Sequence, residues 1–184
     1  MYAAIPGSYT IFSDDGGDSW NRSESIGATR SGECQVAAMD VQSDNPVLIM
    51  AARSNAGRYI SYSKDGGESW FNTSLDKSLN PQTPCESSIV SMTYKGVYLN
   101  THLYLTSPHS LLRENLTLFT SSDGGHNWGV GQVIWSGPSA YSSLAYHDLK
   151  LYCLYERGDV GKKYWSTLTL AVTSPLIAGT TPYL

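Results

Sequence analysis

Short runs of alternating apolar and polar residues dominate this chain of 184 residues. Runs at 9–13, 59–63 and 116–121 are β-branched or aromatic, and each leads into an Asp-Gly turn, which is a strong hairpin signal. Further strand candidates lie at 34–41, 47–52, 89–94, 97–104, 131–135, 142–146, 149–155 and 164–172. Because no stretch carries a convincing helical period, the sequence predicts an all-β fold.

One eight-residue pattern, Ser-x-Asp-x-Gly-x-x-Trp, occurs three times, at 13–20, 63–70 and 121–128. In such a turn the Asp accepts backbone amides, the Gly supplies a positive φ, and the Trp folds back into the seam between neighbouring units. A calcium loop is disfavoured, because the alternating acidic positions and the twelfth-position Glu of an EF-hand are missing. We therefore interpret the pattern as structural.

The repeat spacing indicates the architecture. The pattern recurs after 50 and then 58 residues, which leaves room for about four strands in each unit. Units of that size are typical of β-propeller blades. The chain is long enough for three blades and a fraction, whereas a closed ring takes at least about four.

Composition narrows the class of protein. The chain is 41% apolar with a net charge of −4, which suits one folded domain. It has no run of Lys or Arg, which disfavours nucleic-acid binding, and its apolar stretches fall far short of a transmembrane helix. The four histidines lack metal-ligand spacing, so no metal site is expected. No organic cofactor is implied either.

Targeting signals are weak. The first residues have neither a charged leader nor a long apolar run, so no signal peptide is recognised. Three N-x-[ST] sequons, at Asn21, Asn72 and Asn115, are weak evidence for a secretory or lysosomal route. The odd number of cysteines predicts free, buried thiols at Cys34, Cys85 and Cys153.

The three turns resemble the Asp boxes of the sialidase (neuraminidase) superfamily, and the segments between them strengthen the resemblance. These segments are Gly-Glu-Cys-Gln at 32–35, Ala-Arg-Ser-Asn-Ala-Gly-Arg-Tyr at 52–59, residues 107–118, Gly-Pro-Ser-Ala-Tyr-Ser-Ser-Leu at 137–144, and Leu-Tyr-Glu-Arg-Gly at 154–158. In order and spacing they are similar to the C-terminal half of a lysosomal-type sialidase. The resemblance implies a six-bladed β-propeller, of which residues 1–184 would form a partial domain of three to four blades.

The resemblance also implies a catalytic pair. Sialic acid carries a carboxylate on its anomeric carbon, and a carboxylate nucleophile would be repelled by it. The family uses a neutral tyrosine with a carboxylate base. By resemblance Tyr141 is the nucleophile and Glu33 is its base. A strand-end aromatic residue and a solvated surface carboxylate are the ordinary alternatives for these two positions.

Substrate-binding residues follow in the same way. Arginine can hold two carboxylate oxygens in a plane. Arg58 and Arg113 resemble the second and third members of the family's arginine triad, and Arg53 is the rival to Arg58. Glu156 resembles the carboxylate that orients the first arginine, with a surface salt bridge to a neighbouring basic residue as the alternative.

The implied activity is that of an exo-α-sialidase, which removes terminal sialic acids from oligosaccharides, glycoproteins and gangliosides. The family's first arginine and its acid/base aspartate belong to blades outside this sequence, so impaired activity and association through open blade edges are expected. A lysosomal setting and a protective cathepsin A-like partner are also implied. The alternative functions are a non-catalytic sialic-acid-binding module and a sortilin-type Asp-box propeller.

Overall fold

A computed structural model describes residues 7–28, 30–39, 44, 46–94, 100–159 and 161–174. Over these ranges the chain forms strands and turns only, and no helix meets the length and apolarity needed to cross a bilayer. The strands are β1 (Ile11–Phe12), β2 (Asn21–Arg22), β3 (Cys34–Met39), β4 (Val47–Ser54), β5 (Gly57–Ser63), β6 (Phe71–Asp76), β7 (Ser88–Tyr94), β8 (Asn100–Pro108), β9 (Glu114–Ser121), β10 (Gly129–His147), β11 (Lys150–Arg157) and β12 (Thr167–Thr173).

Within each sheet of the described residues, consecutive strands pair antiparallel. Strands β3 to β6 form one four-stranded sheet, β7 to β12 form a second, continuous sheet, and β1 and β2 form a separate hairpin. The continuous sheet contains two blades, because the long strand β10 pairs with β9 from Gly129 to Pro138 and then with β11 from Ser139 onward. Strand β10 thus joins the last two blades.

Apolar side chains fill the seams between the sheets. Ile49 and Met50 are adjacent in β4, point to opposite faces and are both fully buried, so the first four-stranded sheet is covered on both sides. Leu103 and Tyr104 in β8 divide in the same way: Leu103 packs in the same cluster as Ile49, and Tyr104 packs in a third apolar cluster. Blade faces stacked in this manner confirm the all-β, partial propeller that the sequence predicts.

The last blade has one uncovered face. Leu168, Leu170 and Val172 alternate along β12 and are between 51% and 71% exposed. Leu154 of β11 pairs with Leu170 and adds to the same exposed apolar face. In a propeller this is the face on which a neighbouring blade would pack.

The Asp boxes have the turn geometry that the pattern predicts. In the third box Ser121 Oγ donates to Asp123 Oδ1 and accepts from the Gly125 amide, while Asp123 Oδ1 accepts from the Asn127 amide. Trp128 packs into the seam between the first two full blades and is 5% exposed. The first box has the same hydrogen bonds around its Asp.

Several strand boundaries differ from the sequence-based expectation. Residues 131–135 and 142–146 belong to one bent strand, because a register shift between Ser139 and Ser142 passes β10 from one partner to the next without ending it. Strands β2 and β6, which directly follow Asp boxes, were not predicted, and residues 164–166 form a turn. Residues 40–41 and 97–99 of two predicted strands lie outside the described ranges.

The cysteines are free, and two of them are deeply placed. Cys85 and Cys153 are buried, as predicted, and Cys34 is half-buried. Burial raises the pKa of the Cys153 thiol to about 12 and that of Cys85 to about 11. Both thiols are therefore protonated over the physiological pH range.

Candidate active site

The predicted site residues come from all three blades. Glu33 immediately precedes β3, and Arg58 lies in β5 of the first blade. Arg113 comes just before β9, Tyr141 lies in β10 after its change of partner, and Glu156 lies in β11. The structure brings Glu33 and Tyr141 into direct contact and places Arg113 and Glu156 next to Tyr141.

A short hydrogen bond joins the predicted nucleophile to its predicted base. Tyr141 Oη donates to Glu33 Oε1 over 2.5 Å. Arg53 Nη1 donates to both carboxylate oxygens of Glu33, at 2.8 and 2.7 Å, and to Tyr141 Oη at 3.0 Å. Three functional groups therefore meet at one point of the surface: a phenol, a carboxylate and a guanidinium.

These contacts shift the pKa values of Tyr141 and Glu33 in opposite directions. The hydrogen bond to Glu33 raises the pKa of Tyr141, and partial burial and the nearby negative charge add to this, while Arg53 and Arg113 oppose it. Burial acts to raise the pKa of Glu33, but the hydrogen bonds from Tyr141 and Arg53 outweigh it and the net shift is downward. The resting pair is therefore a neutral phenol bound to a carboxylate, as a base-assisted nucleophile requires.

The structure places Arg53, rather than Arg58, beside Glu33 and Tyr141. Arg58 is 1% exposed, and its Nη2 donates to the Cys85 carbonyl oxygen at 2.9 Å and to Ser107 Oγ at 3.3 Å. Burial lowers the pKa of Arg58 to about 10. A guanidinium enclosed in this way cannot reach a bound sugar, so its position departs from the expected substrate-binding role.

Strand order explains why Arg53 takes this place. Arg53 and Arg58 are cross-strand partners in the β4–β5 hairpin, but β4 is the strand that pairs with β3. The Arg53 amide donates to the Glu33 carbonyl oxygen, which sets the two side chains side by side. Strands β3 and β4 are consecutive in the sequence and would be expected to pair, which places Arg53 of β4 beside Glu33. This expected pairing was the sequence signal that could have favoured Arg53.

Arg113 approaches Tyr141 from the other side. Its guanidinium carbon lies 5.4 Å from the centre of the Tyr141 ring and 4.9 Å from that of Tyr164. Arg113 Nη1 donates to Tyr164 Oη at 3.1 Å, and Nη2 donates to the Pro84 carbonyl oxygen at 3.4 Å. No carboxylate within the described ranges forms an ion pair with Arg113, which leaves its charge free to attract an anion. Tyr164 is a neighbour that the sequence did not single out.

Glu156 binds the backbone of Tyr141. Its Oε2 accepts a hydrogen bond of 3.2 Å from the Tyr141 amide. The neighbouring Arg157, the alternative partner for Glu156, lies with its guanidinium carbon 3.8 Å from the Trp135 ring centre and pairs with Asp159. Glu156 thus faces the site.

The described part of the chain contains no group of three His, Cys, Asp or Glu side chains that could hold a metal ion. The arrangement offers acid–base and electrostatic chemistry. A phenol with a carboxylate base can attack an electrophilic carbon, and two arginines beside it can bind a carboxylate.

Comparison with known proteins agrees with the fold. The sequence matches the family of BNR repeat-like domains over residues 3–153. It is 38% identical to Sialidase-3 of Mus musculus over 88 residues, which are 47% of this chain and 21% of that protein. It is 30% identical to a sialidase of Bacteroides fragilis over 128 residues, 67% of this chain and 23% of that protein.

Solved structures with a similar fold are also sialidases. The fold is similar to that of the Hadza microbial sialidase Hz136, with a TM-score of 0.69 at 24% identity over 90% of this chain and 31% of that one. Trypanosoma rangeli sialidase, also solved in complex with a 2,3-difluoro sugar acid, has a TM-score of 0.64 at 26% identity over 80% of this chain and 24% of its own. The chain spans less than a third of these relatives. It belongs to the BNR repeat-like domain family and, with its Asp boxes and its sialidase homologues, to the sialidase superfamily.

Proposed function

We propose that this chain carries the nucleophile half of an exo-α-sialidase site, with Tyr141 as nucleophile and Glu33 as its base. The observation that carries the proposal is the 2.5 Å hydrogen bond from Tyr141 Oη to Glu33 Oε1, with Arg53 donating to both residues. Isolated tyrosines are poor nucleophiles at neutral or acidic pH. A carboxylate held at the phenolic proton supplies the missing base.

The chemistry takes place in two steps. Tyr141 Oη forms a bond to the anomeric carbon as the glycosidic bond breaks, and its proton passes to Glu33. Water then displaces the tyrosine from the sugar, Glu33 returns the proton to the phenol, and sialic acid leaves with retained configuration. The proton that the water loses goes to the acid/base aspartate that the family resemblance implies. The leaving-group oxygen takes its proton from the family's acid/base aspartate, which the resemblance assigns to blades outside this sequence.

Substrate binding is assigned to Arg53 and Arg113. In this proposal Arg53 replaces Arg58, because Arg53 is 24% exposed at its side chain and contacts Tyr141, whereas Arg58 is enclosed. The two guanidinium groups flank the phenol and would hold the carboxylate of a terminal sialic acid. Glu156 orients the Tyr141 backbone and the first arginine of the complete site. Sialylated oligosaccharides, glycoproteins and gangliosides are the proposed substrates.

The lowered pKa of Glu33 suits an acidic compartment. The lowered pKa of Glu33 keeps this carboxylate ionised as the pH falls, and both arginines stay charged. We propose a lysosomal setting on this basis and on the resemblance to the lysosomal type. A cathepsin A-like partner remains a prediction of that resemblance, tested by co-purification with the tagged protein.

Covalent labelling tests the nucleophile without the missing acid. A 2,3-difluorosialic acid loses fluoride, which leaves without protonation, so only the nucleophile, its base and the carboxylate-binding arginines are needed. We expect mass spectrometry to find one sugar adduct on the peptide that contains Tyr141. The Tyr141→Phe variant should carry none, and Glu33→Gln should react more slowly. A folded chain that is labelled elsewhere, or not at all, would contradict the proposal.

Hydrolysis is tested separately. A fluorogenic sialoside is offered at an acidic pH, as the proposed lysosomal setting requires. Turnover is expected once the N-terminal blades of a related sialidase are joined to the chain, and Tyr141→Phe should abolish it. Binding of sialic acid without turnover in the joined protein would favour the non-catalytic module.

A further inference from the structure

One short segment contacts Arg113 and the strands that lie next to Glu33 and Tyr141. Residues 84–88 comprise the last four residues of the connection from β6 to β7, that is, from the first full blade to the second, and the first residue of β7. The Pro84 and Cys85 carbonyl oxygens accept hydrogen bonds from Arg113 and Arg58, and the side chains of Glu86 and Ser88 reach two other strands. We call residues 84–88 the bridging segment.

Glu86 lies at the centre of the bridging segment. It is 9% exposed, and its two carboxylate oxygens contact different blades. Oε1 accepts from Gln35 Nε2 at 2.9 Å, and Oε2 accepts from the Ser142 amide at 3.2 Å. Gln35 lies two residues after Glu33, and Ser142 directly follows Tyr141. Glu86 therefore links the strand of the base to the strand of the nucleophile.

Gln35 and Ser88 complete the connection. Gln35 Oε1 accepts from Ser88 Oγ at 2.8 Å and from the Ile89 amide at 3.3 Å. Ser88 Oγ in turn accepts from the Leu144 amide at 2.8 Å. Two backbone amides of β10 near Tyr141 are thus bound by side chains of the bridging segment. Both amides lie in the part of β10 that no longer pairs with β9, beyond the point where the strand changes its partner.

The buried carboxylate of Glu86 interacts with the positive charge of the buried Arg58. Burial raises the pKa of Glu86, the Ser142 amide and the positive charge of Arg58 oppose this rise, and the negative charges of Glu33 and Glu156 add to it. Arg58 Nε and Nη1 have no hydrogen-bond partner within the described residues. The negative charge of Glu86 therefore offsets a guanidinium that is enclosed beside the same segment.

We propose that Glu86 is a positioning residue, which through Gln35 and the Ser142 amide holds Tyr141 at hydrogen-bonding distance from Glu33. Each of these buried donors would lose its partner if the two strands shifted, so the strands move as one unit. The role in catalysis rests on the proposed function. The positioning itself concerns the folded chain alone and is tested there.

Exchanging the side chains of Gln35 and Glu86 tests whether the hydrogen bond between them positions Tyr141. Glu86→Gln removes the charge and leaves a side-chain NH₂ facing either the Gln35 NH₂ or the Ser142 amide. In the double variant Gln35→Glu with Glu86→Gln, the donor and acceptor between the two side chains are reversed and every hydrogen bond is restored. Gln35→Ala breaks the link without a change of charge.

The readouts are the pKa of the Tyr141 phenol and that of the Glu33 carboxyl, followed by NMR of ¹³C-labelled side chains. Tyr141→Phe and Glu33→Gln assign the two signals. In Glu86→Gln and in Gln35→Ala we expect the Tyr141 pKa to fall, and that of Glu33 to rise, toward their ordinary values. The exchanged double variant should recover both. Ser61→Ala, which removes a buried hydroxyl bonded to Thr73 in the first blade, should lower stability and leave both values unchanged.

The outcomes separate positioning from other effects. If Glu86→Gln shifts the Tyr141 pKa while Gln35→Ala does not, the effect is one of charge and the proposal fails. If both single variants stay folded and keep the Tyr141 and Glu33 values of the parent, Glu86 contributes stability alone and the proposal also fails. A failed labelling experiment with an intact pKa shift would overturn the proposed function and leave the positioning role in place.

Discussion

Tyr141 Oη and Glu33 Oε1 lie 2.5 Å apart although the two residues are 108 positions apart in the sequence. The pair joins the edge of the first full blade to the strand that is shared by the last two. Neither residue has an exceptional local environment, since Glu33 is 43% exposed at its side chain and Tyr141 is half-buried. The chemistry of the site therefore depends on the relative placement of two blades.

The first prediction concerns this hydrogen bond. Glu33→Gln removes the negative charge that stabilises the protonated phenol, so the pKa of Tyr141 should fall toward the ordinary tyrosine value. NMR titration of the ¹³C-labelled tyrosines measures the change. Glu24→Gln, which neutralises an exposed carboxylate of the same type, is the control. An unchanged Tyr141 titration in folded Glu33→Gln would contradict the assignment.

Much of the fold could be predicted from the sequence, because Asp boxes are local structures. Among the described residues, the side chains of Asp123 and Asp15 form hydrogen bonds only within their own turns, so eight residues suffice to specify each box. Their spacing then gives the blade repeat. The bend of β10 could not be predicted, because it depends on two different neighbouring strands rather than on a turn in the sequence.

The site was predicted less completely for a physical reason. Motif similarity alone selects Glu33 and Tyr141, but Arg53 and Arg58 are opposite each other in one hairpin. Which arginine reaches the pair depends on the side of the hairpin on which β3 lies. Glu86 carried no signal at all, because a carboxylate in an irregular segment is normally a surface residue, and only the three-dimensional contacts reveal its burial.

The second prediction separates the two arginines. Arg53→Gln should slow labelling of Tyr141 by the difluorinated sugar about 10- to 100-fold, equivalent to one charge-assisted hydrogen bond of about 1.5–3 kcal/mol. The free energy of unfolding should change by less than about 1 kcal/mol, because the Arg53–Glu33 pair is substantially exposed. Labelling kinetics and urea titrations measure the two effects.

Arg58→Met is the matched variant. It leaves the Cys85 carbonyl and Ser107 Oγ without their donor, and it removes the charge that offsets Glu86. Stability should fall by about 1–3 kcal/mol. Equal loss of labelling in Arg53→Gln and Arg58→Met, at equal stability, would be inconsistent with the division of roles.

The third prediction uses two tryptophans at the same motif position. Trp128 is 5% exposed within the seam between two blades, whereas Trp20 is 61% exposed. Trp128→Ala should lower the free energy of unfolding by about 3–5 kcal/mol, the usual cost of a large core truncation. Trp20→Ala removes one exposed hydrogen bond to the Gly17 carbonyl and should cost less than about 1 kcal/mol. Urea denaturation measures both, and similar losses would show that the first box is packed in solution.

The fourth prediction concerns stability in acid. Burial acts to raise the pKa of Asp123, but hydrogen bonds from Asn127 and Ser121 outweigh it and lower the value to about 2, against an ordinary 3.8. Between these values the unfolded chain binds more protons than the folded chain. The stabilisation from Asp123 is therefore complete above about pH 4 and is lost as the pH falls toward 2. Asp15 and Asp65 shift in the same direction, so the three boxes destabilise together in acid.

Asp123→Asn tests this dependence. The amide cannot accept from the Asn127 side-chain NH₂ at the former Oδ2, so the variant should be less stable at pH 7 by about 0.5–1.5 kcal/mol. The difference should shrink as the pH falls from 4 toward 2, because the parent loses the same interaction by protonation. Urea titrations at a series of pH values measure the difference. Asp18 is an exposed carboxylate at a variable position of the first box. The Asp18→Asn variant should therefore lose stability between about pH 4 and pH 2 to the same extent as the parent protein. A stability difference between Asp123→Asn and the parent that stays constant across this range would show that the carboxylate of Asp123 is not held in its ionised form by the turn.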